Sequence, residues 1–580
     1  MNRVMEDTVG AGEKDVERGA KVSHYASNSP SESSKKEAGY IDIPEADTRW
    51  GRFVDSFKRN PNAKVSPQAE DAEGRPIEDG PSAEPALAMK LNNRHLQMIA
   101  IGGSIGTGLF VRSGAALSTG GPASLILAYG LIGVMLFCTV QALGELAVAF
   151  PVAGSFAVYG SRFLDPAWGF AMGWNLDHSA VLGDAKNTKP AAFVTIFLVV
   201  IIINFFGVKG YGEAEFVFSI IRSWQWLASF CLALSSTAEA LRTMCITACT
   251  SGAFNNGFKG LCSVFTTAAF AFAGTELVGL AAAESANPRV TLPKAVKQVF
   301  WRICLFYMVS LTIVGSLVPY NDPELLGASS TDANASPFVI AVKNAGITAV
   351  PSIMNAVILI AVLSVGNSSI YGSSRTLAAL ADRGQAPKIL GYIDRSGCPL
   401  MAIILSSMFC FLCYIVAAGA NAETTALSWM LALSGLSSIF TWGSICLCHI
   451  HFRQAWKAAG HTLDELAFKS QATVYGSWIG FIFNCLVVVV SFWTGFAPIG
   501  YASNTASQNL VSWFEANLSL PIVMAFYFIY KFVKKTKIKT IDRIDITSGM
   551  RDMNLKEILA EERAIHAKWP MWNKVYRTVC

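Results

Sequence analysis

The stretch Asn93–Arg112 reads NRHLQMIAIGGSIGTGLFVR. It opens with basic and polar residues suited to a membrane surface and then runs into apolar sequence. At mid-span it sets Gly102, Gly103, Ser104, Gly106, Thr107 and Gly108 almost side by side. Glycine is a poor helix former, so the helix is weakest where a membrane span should be strongest. In lipid such a break is tolerated only where the freed backbone groups line a cavity enclosed by protein. Helices broken at mid-membrane are how secondary transporters build their binding sites. The competing reading is a packing face of spaced small residues; glycines in contiguous array favour the break.

The rest of the chain supplies the membrane. Of 580 residues, 52% are hydrophobic and only 15% charged, and the mean hydropathy is +0.40. That composition excludes a soluble globular protein and makes an all-α polytopic membrane protein the expected fold class. The hydrophobic part has room for roughly ten to twelve spans of about 20 residues. The net charge of +5 is spread over loops and tails and forms no nucleic-acid surface. The 13 cysteines are scattered, with neither metal-ligand spacing nor a disulfide framework. No nucleophile–base set or phosphate loop appears, and the glycine run follows no strand, so an enzyme is not expected, and neither is a cofactor or a metal site.

Residues 1–90 are polar and read as a disordered tail with no cleavable leader. A transporter domain is expected over 91–532 and a polar, basic tail over 533–580, with a surface helix at Leu555–Lys568. Beyond the first span, the clear spans are Gly120–Pro151, Pro190–Gly210, Leu261–Glu284, Arg302–Pro319, Ser352–Ser374, Leu400–Gly419, Ala426–Leu447, Val474–Phe496 and Leu520–Phe532. Arg289, Lys294, Lys297 and Arg302 are read as one loop, Arg383, Lys388 and Arg395 as a second, and Arg453, Lys457 and Lys469 as a third in the same phase. Lys531, Lys534, Lys535 and Lys537 follow the last span. By the positive-inside rule these loops and both termini are cytoplasmic.

The motifs RHLQMIAIGGSIGTGLFV, TVQALGELAVAFPVAGSF, INFFGVKGYGEAEF, FAFAGTELVGLAAAES and SVGNSSIYGSSRTLAALADRGQAPK are long, ordered and specific. On them the chain resembles the fungal amino-acid permeases of the amino acid/polyamine/organocation superfamily, over most of Leu91–Cys580. The resemblance implies roughly twelve spans in an inverted five-helix-repeat fold with broken first and sixth helices, about ten of them intact here. It implies import of amino acids across the plasma membrane by proton symport. The chain departs from the pattern at Leu176–Lys189, where a polar run replaces most of the third span. It departs again at Arg222–Gly252, where the family's aliphatic fifth span, opening with Lys, is replaced by a stretch opening with Arg222. Such abrupt edges fit a deletion and a frame-shifted or intron-derived stretch, with a diverged but real segment as the alternative; a chain with both losses is expected to pack badly and to stay in the endoplasmic reticulum. Two further readings stand beside transport: a non-transporting amino-acid sensor and an inactive permease product.

A zwitterionic amino acid needs donors for its carboxylate and acceptors for its ammonium. Backbone amides of Ser104, Ile105, Gly106, Thr107 and Gly108 meet the first need at a half-helix N-terminus, and match the family's substrate motif. Carbonyls of Phe270, Ala271, Phe272 and Ala273, with Gly274 permitting a break, meet the second. Phe270 and Phe272 read equally as gates or as core packing. Glu276, inside a span, is the candidate for proton coupling or ammonium recognition. Glu145 and Glu284, near span ends, are expected to be easily solvated. Asn367, Ser368, Ser369 and Tyr371 either line the path or tie helices together. The N-tail lysines Lys14, Lys21, Lys35 and Lys36 are candidate ubiquitin acceptors, and the resemblance points to palmitoylation at Cys580.

Overall fold

The computed structural model describes residues 48–61, 87, 89–102, 106–110, 112–175, 190–224, 227, 252–327, 336–344, 350–409, 420–547, 550 and 570. Among these the fold is α-helical, with β pairing confined to two isolated bridges. The two anomalous segments lie largely outside the described residues, as do Leu555–Lys568, Cys580 and the four tail lysines.

The glycine run breaks the first helix. Helix α2 (Asn93–Gly102) ends at it and α3 (Thr107–Phe110) resumes beyond it; the label α1 belongs to a short helix, Arg49–Ser56, within the N-terminal tail. Helix α4 (Arg112–Ala149) is two helices meeting at Gly121, where φ is 81° and ψ 171°. Only glycine holds that backbone comfortably, and a Cβ there would stand 2.8 Å from the Asn255 nitrogen. Pro122 follows, its fixed φ suited to a helix start. A helix therefore starts at Pro122, inside the stretch Gly120–Pro151 read from the sequence as a span.

Helices α5 (Ser155–Phe163) and α6 (Pro166–Trp174) follow, separated by Asp165, whose carboxylate accepts from the Ala167 N–H at 2.9 Å. Then come α7 (Pro190–Phe205) and α8 (207–224). The second broken unit is α9 (Gly257–Phe272) and α10 (Leu277–Ala281). Between them Ala273 is extended (φ −56°, ψ 150°) and Gly274 takes φ +87°. Helix α11 (Pro288–Arg302) passes through a π-helical stretch, Ile303–Val309, into α12 (Ser310–Leu317), giving one apolar span over Pro288–Leu317. After α13 (Pro323–Gly327) and α14 (Pro337–Asn344) come the long α15 (Val350–Asp382), α16 (Leu400–Phe409), α17 (Ala420–Ala458) and α18 (Thr473–Phe496). Helices α19 (Ala506–Asn517) and α20 (Ser519–Lys534) complete the domain.

By length and composition five described helices can cross a membrane alone, or six if the bent pair 506–514 and 519–534 is one span. Val134, Leu198, Val199, Ile202, Ile479, Ile482 and Val489 stand exposed on α4, α7 and α18. A lipid-facing surface requires such an apolar band.

The two broken units lie side by side and antiparallel. At one end Leu91 donates to the Glu284 carbonyl at 3.0 Å and accepts from Ala286 N–H at 3.2 Å. At the other, Gly108 packs so closely on Ala271 that a Cβ would collide with the Ala271 backbone. The sequence expectation that Arg302 and Arg453 belong to solvated loops is corrected here. Arg302 is 1% exposed and Arg453 is buried against Glu145, because the helices carrying them extend further than hydropathy alone marked.

Candidate functional site

The breaks converge on one cavity of about 80 Å³, lined by Gly106 and Gly108 from the first break and by Phe270, Ala273, Gly274 and Glu276 from the second. Helix α15 contributes Ser368 and Ser369, and α17 contributes Ser437, Ser438 and Thr441. A buried water needs roughly 10–15 Å³ by a comparable measure. The space thus has room for several waters.

Glycine is required at the cavity wall for want of room. A Cβ at Gly106 would run into the Val365 side chain of α15, and one at Gly108 into Ala271 itself. Ser104 and Ile105 lie outside the described residues; Thr107 lies in α3, and its side chain is not described. The two aromatics part company. Phe270 faces the cavity with the Arg112 guanidinium 5.7 Å from its ring centre. Phe272 is fully buried and packs on Tyr307 and Tyr129, with centroids 4.1 and 6.0 Å away.

The carbonyls of the second break are mostly engaged within the protein. The Tyr307 hydroxyl donates to the Ala271 carbonyl at 2.7 Å, the Thr275 hydroxyl to Phe272 at 2.7 Å, and Ala273 N–H to Phe270 at 3.2 Å. Among the described residues only the Ala273 carbonyl in this run accepts no hydrogen bond. Of the four carbonyls expected from sequence to meet an ammonium, Ala273 is thus the one left open, and the Glu276 carboxylate lines the same cavity. Glu276 accepts from Trp442 Nε1–H at 3.1 Å.

Arg302 joins the two breaks from below the cavity. Its guanidinium donates to the Ala100 carbonyl and to the Thr275 hydroxyl, each at 2.6 Å. The last carbonyls of a half-helix lack intrahelical donors, and a cation there is favoured by the helix dipole. Sequence reading missed this residue because its partners lie 202 and 27 positions away.

The polar residues of α15 serve both roles open to them. Ser368 and Ser369 line the cavity, whereas Asn367 accepts from Asn204 at 2.7 Å. Tyr371 donates to Glu284, which also receives Arg375 Nε at 3.2 Å. Tyr211 stacks on Tyr371 at 4.0 Å and shares a hydrogen bond with Ser368 at 3.1 Å. Glu284 and Glu145 are fully buried, which corrects the expectation of easy solvation. Glu145 is held by Arg453 at 2.5 Å, His449 at 3.1 Å and the Ser470 N–H at 2.7 Å. Arg222, where the resemblance leads one to expect Lys, is buried and paired with Glu215 at 2.7 Å. Glu215 in turn receives the Ser364 hydroxyl.

Comparison with known proteins follows the same line. The sequence model described as amino acid permease matches residues 95–543. The general amino-acid permease GAP2 of Candida albicans is 49% identical over 567 residues, covering 92% of this chain and 93% of its own. The general amino-acid permease GAP1 of Saccharomyces cerevisiae is 46% identical over 578 residues, covering 93% of each. A cationic amino acid transporter of Schizosaccharomyces pombe is 46% identical over 518 residues, covering 85% of this chain and 87% of its own.

Proposed function

This chain belongs to the amino acid permease family, a family of multi-pass membrane transporters and not of enzymes, and from that premise we propose that it imports amino acids across the plasma membrane by proton symport. The observation that carries the reading is the convergence of two antiparallel broken helices on one cavity. Antiparallel broken helices of this kind are what an inverted repeat brings to a transporter's midplane.

In this reading the substrate carboxylate lies against the freed amides at Gly106–Gly108 and the ammonium against the Ala273 carbonyl and Glu276. Ser104, Ile105 and Thr107 complete the donor run. Ala271 and Gly274 set the backbone, while Phe270 covers the site and Phe272 props it from behind. Glu276 is the proton carrier: it lines the cavity and is tied to α17 through Trp442. A proton taken from one side neutralises it, and neutralisation weakens its hold on the ammonium when the site faces the other side. In the same reading the basic loops face the cytoplasm, with both termini on that side. Ubiquitin ligation on the N-terminal tail and palmitoylation at Cys580 remain part of the proposal.

The test is uptake of radiolabelled alanine by the full chain in proteoliposomes with the outside acidified. Accumulation above the external concentration, collapsing with the pH gradient, is expected. Saturation at the molar amount of protein would instead identify a sensor that binds without transporting.

A further inference from the structure

We infer that Arg112 is a charge filter at the cavity, favouring amino acids with anionic side chains and disfavouring cationic ones. The inference deepens the transport reading and rests on it for the identity of the ligand. Arg112 begins α4, directly after the half-helix that carries Gly108, and its guanidinium lies over the ring of Phe270. That ring is part of the cavity wall. Three other buried arginines among the described residues are matched: Arg302 by a carbonyl and a hydroxyl, Arg375 by Glu284, Arg222 by Glu215. Arg112 makes neither an ion pair nor a hydrogen bond among the described residues. Among the described residues the half-buried cation lies against the face of the Phe270 ring, a contact weaker than a carboxylate would give. Such a cation acts on whatever charge enters the space beside it.

The sign and size follow from Coulomb's law. All amino acids bring the same α-carboxylate and α-ammonium, so only the side-chain charge separates one substrate from another. Phe270 is flanked by α17, whose Gly435 would place a Cβ 3.8 Å from the Phe270 Cβ. We place the substrate side chain against this wall, which Ser438 and Thr441 continue. A charge held against that ring stands on the order of 10 Å from the guanidinium. With an effective dielectric of about 20–40, the effect on binding is roughly 4- to 16-fold per charge. The ratio of acidic to basic substrate changes by the square of that, roughly 16- to 250-fold.

The experiment compares uptake of labelled aspartate, alanine and lysine by the full chain, by Arg112→Gln and by Arg112→Lys, each normalised to protein at the surface. Aspartate and lysine rates are read relative to alanine for each form. The filter predicts that Arg112→Gln lowers the aspartate-to-lysine ratio at least 16-fold and that Arg112→Lys restores most of it. A ratio unchanged in Arg112→Gln overturns the inference. So does an equal fall for all three substrates, which would mark Arg112 as a prop for Phe270. If the unaltered chain takes up none of the three, the transport reading fails on its own. The filter is then decided by equilibrium binding to the purified chain, where the same ratio shift supports it and a constant ratio overturns it.

Discussion

Gly106 and Gly108 are both crowded, but by different kinds of neighbour, and the difference can be measured. A methyl group at Gly106 meets the Cγ2 of Val365; the next atoms, Val365 Cβ and the Ala361 carbonyl oxygen, lie at 3.6 and 3.9 Å, which is ordinary contact. A methyl group at Gly108 meets the Cα of Ala271, with the Ala271 Cβ at 2.8 Å and nitrogen at 3.0 Å. Carbon atoms rest about 3.5–4.0 Å apart, so at Gly108 the two broken helices must separate by about 1 Å. Overpacking of this kind costs about 1–3 kcal/mol. A cavity displaced by that much should lose roughly 5- to 150-fold in substrate affinity. Gly106→Ala should show a similar loss, but Val365→Ala removes the colliding methyl and should return most of it. No single side-chain truncation should rescue Gly108→Ala. Gly391→Ala is the control for glycine replacement itself, since a Cβ there meets only the Ala381 Cβ, at an ordinary 3.6 Å. The assay is equilibrium binding of labelled alanine to purified variants, with thermal stability measured alongside. If Val365→Ala fails to improve Gly106→Ala, or if Gly108→Ala binds normally, the packing of the breaks is not what shapes the site.

Three further outcomes are expected. Arg302→Met should lower stability by about 2–6 kcal/mol, since it takes a donor from two buried oxygens at about 1–3 kcal/mol each; a thermal midpoint equal to that of the unaltered chain would refute the staple. Glu276→Gln should abolish accumulation driven by a pH gradient while leaving exchange of internal for external substrate, and normal pH-driven accumulation would remove the proton role. The C-terminal tail is strapped to the domain through Asp165, which binds Lys531 at 2.6 Å and the Thr536 hydroxyl at 2.9 Å, while Lys539 N–H reaches the Leu164 carbonyl. Burial alone would raise the Asp165 carboxyl, but Lys531, the Ala167 amide and Thr536 outweigh it and hold its pKa below the usual value. The strap is therefore fully present above about pH 4, the unfolded value, and is lost as pH falls through the lower folded one. Proteolysis near 536–547 should rise only on acidification below pH 4 or in Asp165→Asn, and early cleavage at neutral pH would contradict this.

What the sequence revealed depended on whether the signal was local. The glycines of Asn93–Arg112 and Gly274 announce both breaks, because a helix-breaking residue acts on its own backbone. Charges near span ends did not announce their partners. Glu145 meets Arg453 across 308 positions and Glu284 meets Arg375 across 91, so hydropathy placed both acids in solvent and Arg453 in a loop. The carbonyl of Ala271 was legible as freed by the break, but not as already bound by Tyr307, 36 residues on. Phe270 and Phe272, two positions apart, were indistinguishable by composition; only the geometry of α9 turns one to the cavity and the other to the core.

Substrate protection at the cavity decides whether an amino acid occupies it. Ser369 lines it, and Cys485 is an exposed cysteine away from it. In Ser369→Cys, alkylation by a small neutral, membrane-permeant thiol reagent can be followed at each cysteine by mass spectrometry, with and without saturating alanine. The account predicts that alanine slows modification at position 369 at least tenfold and leaves Cys485 unaffected. Equal rates at position 369 with and without alanine would contradict the claim that an amino acid occupies the space between the two broken helices.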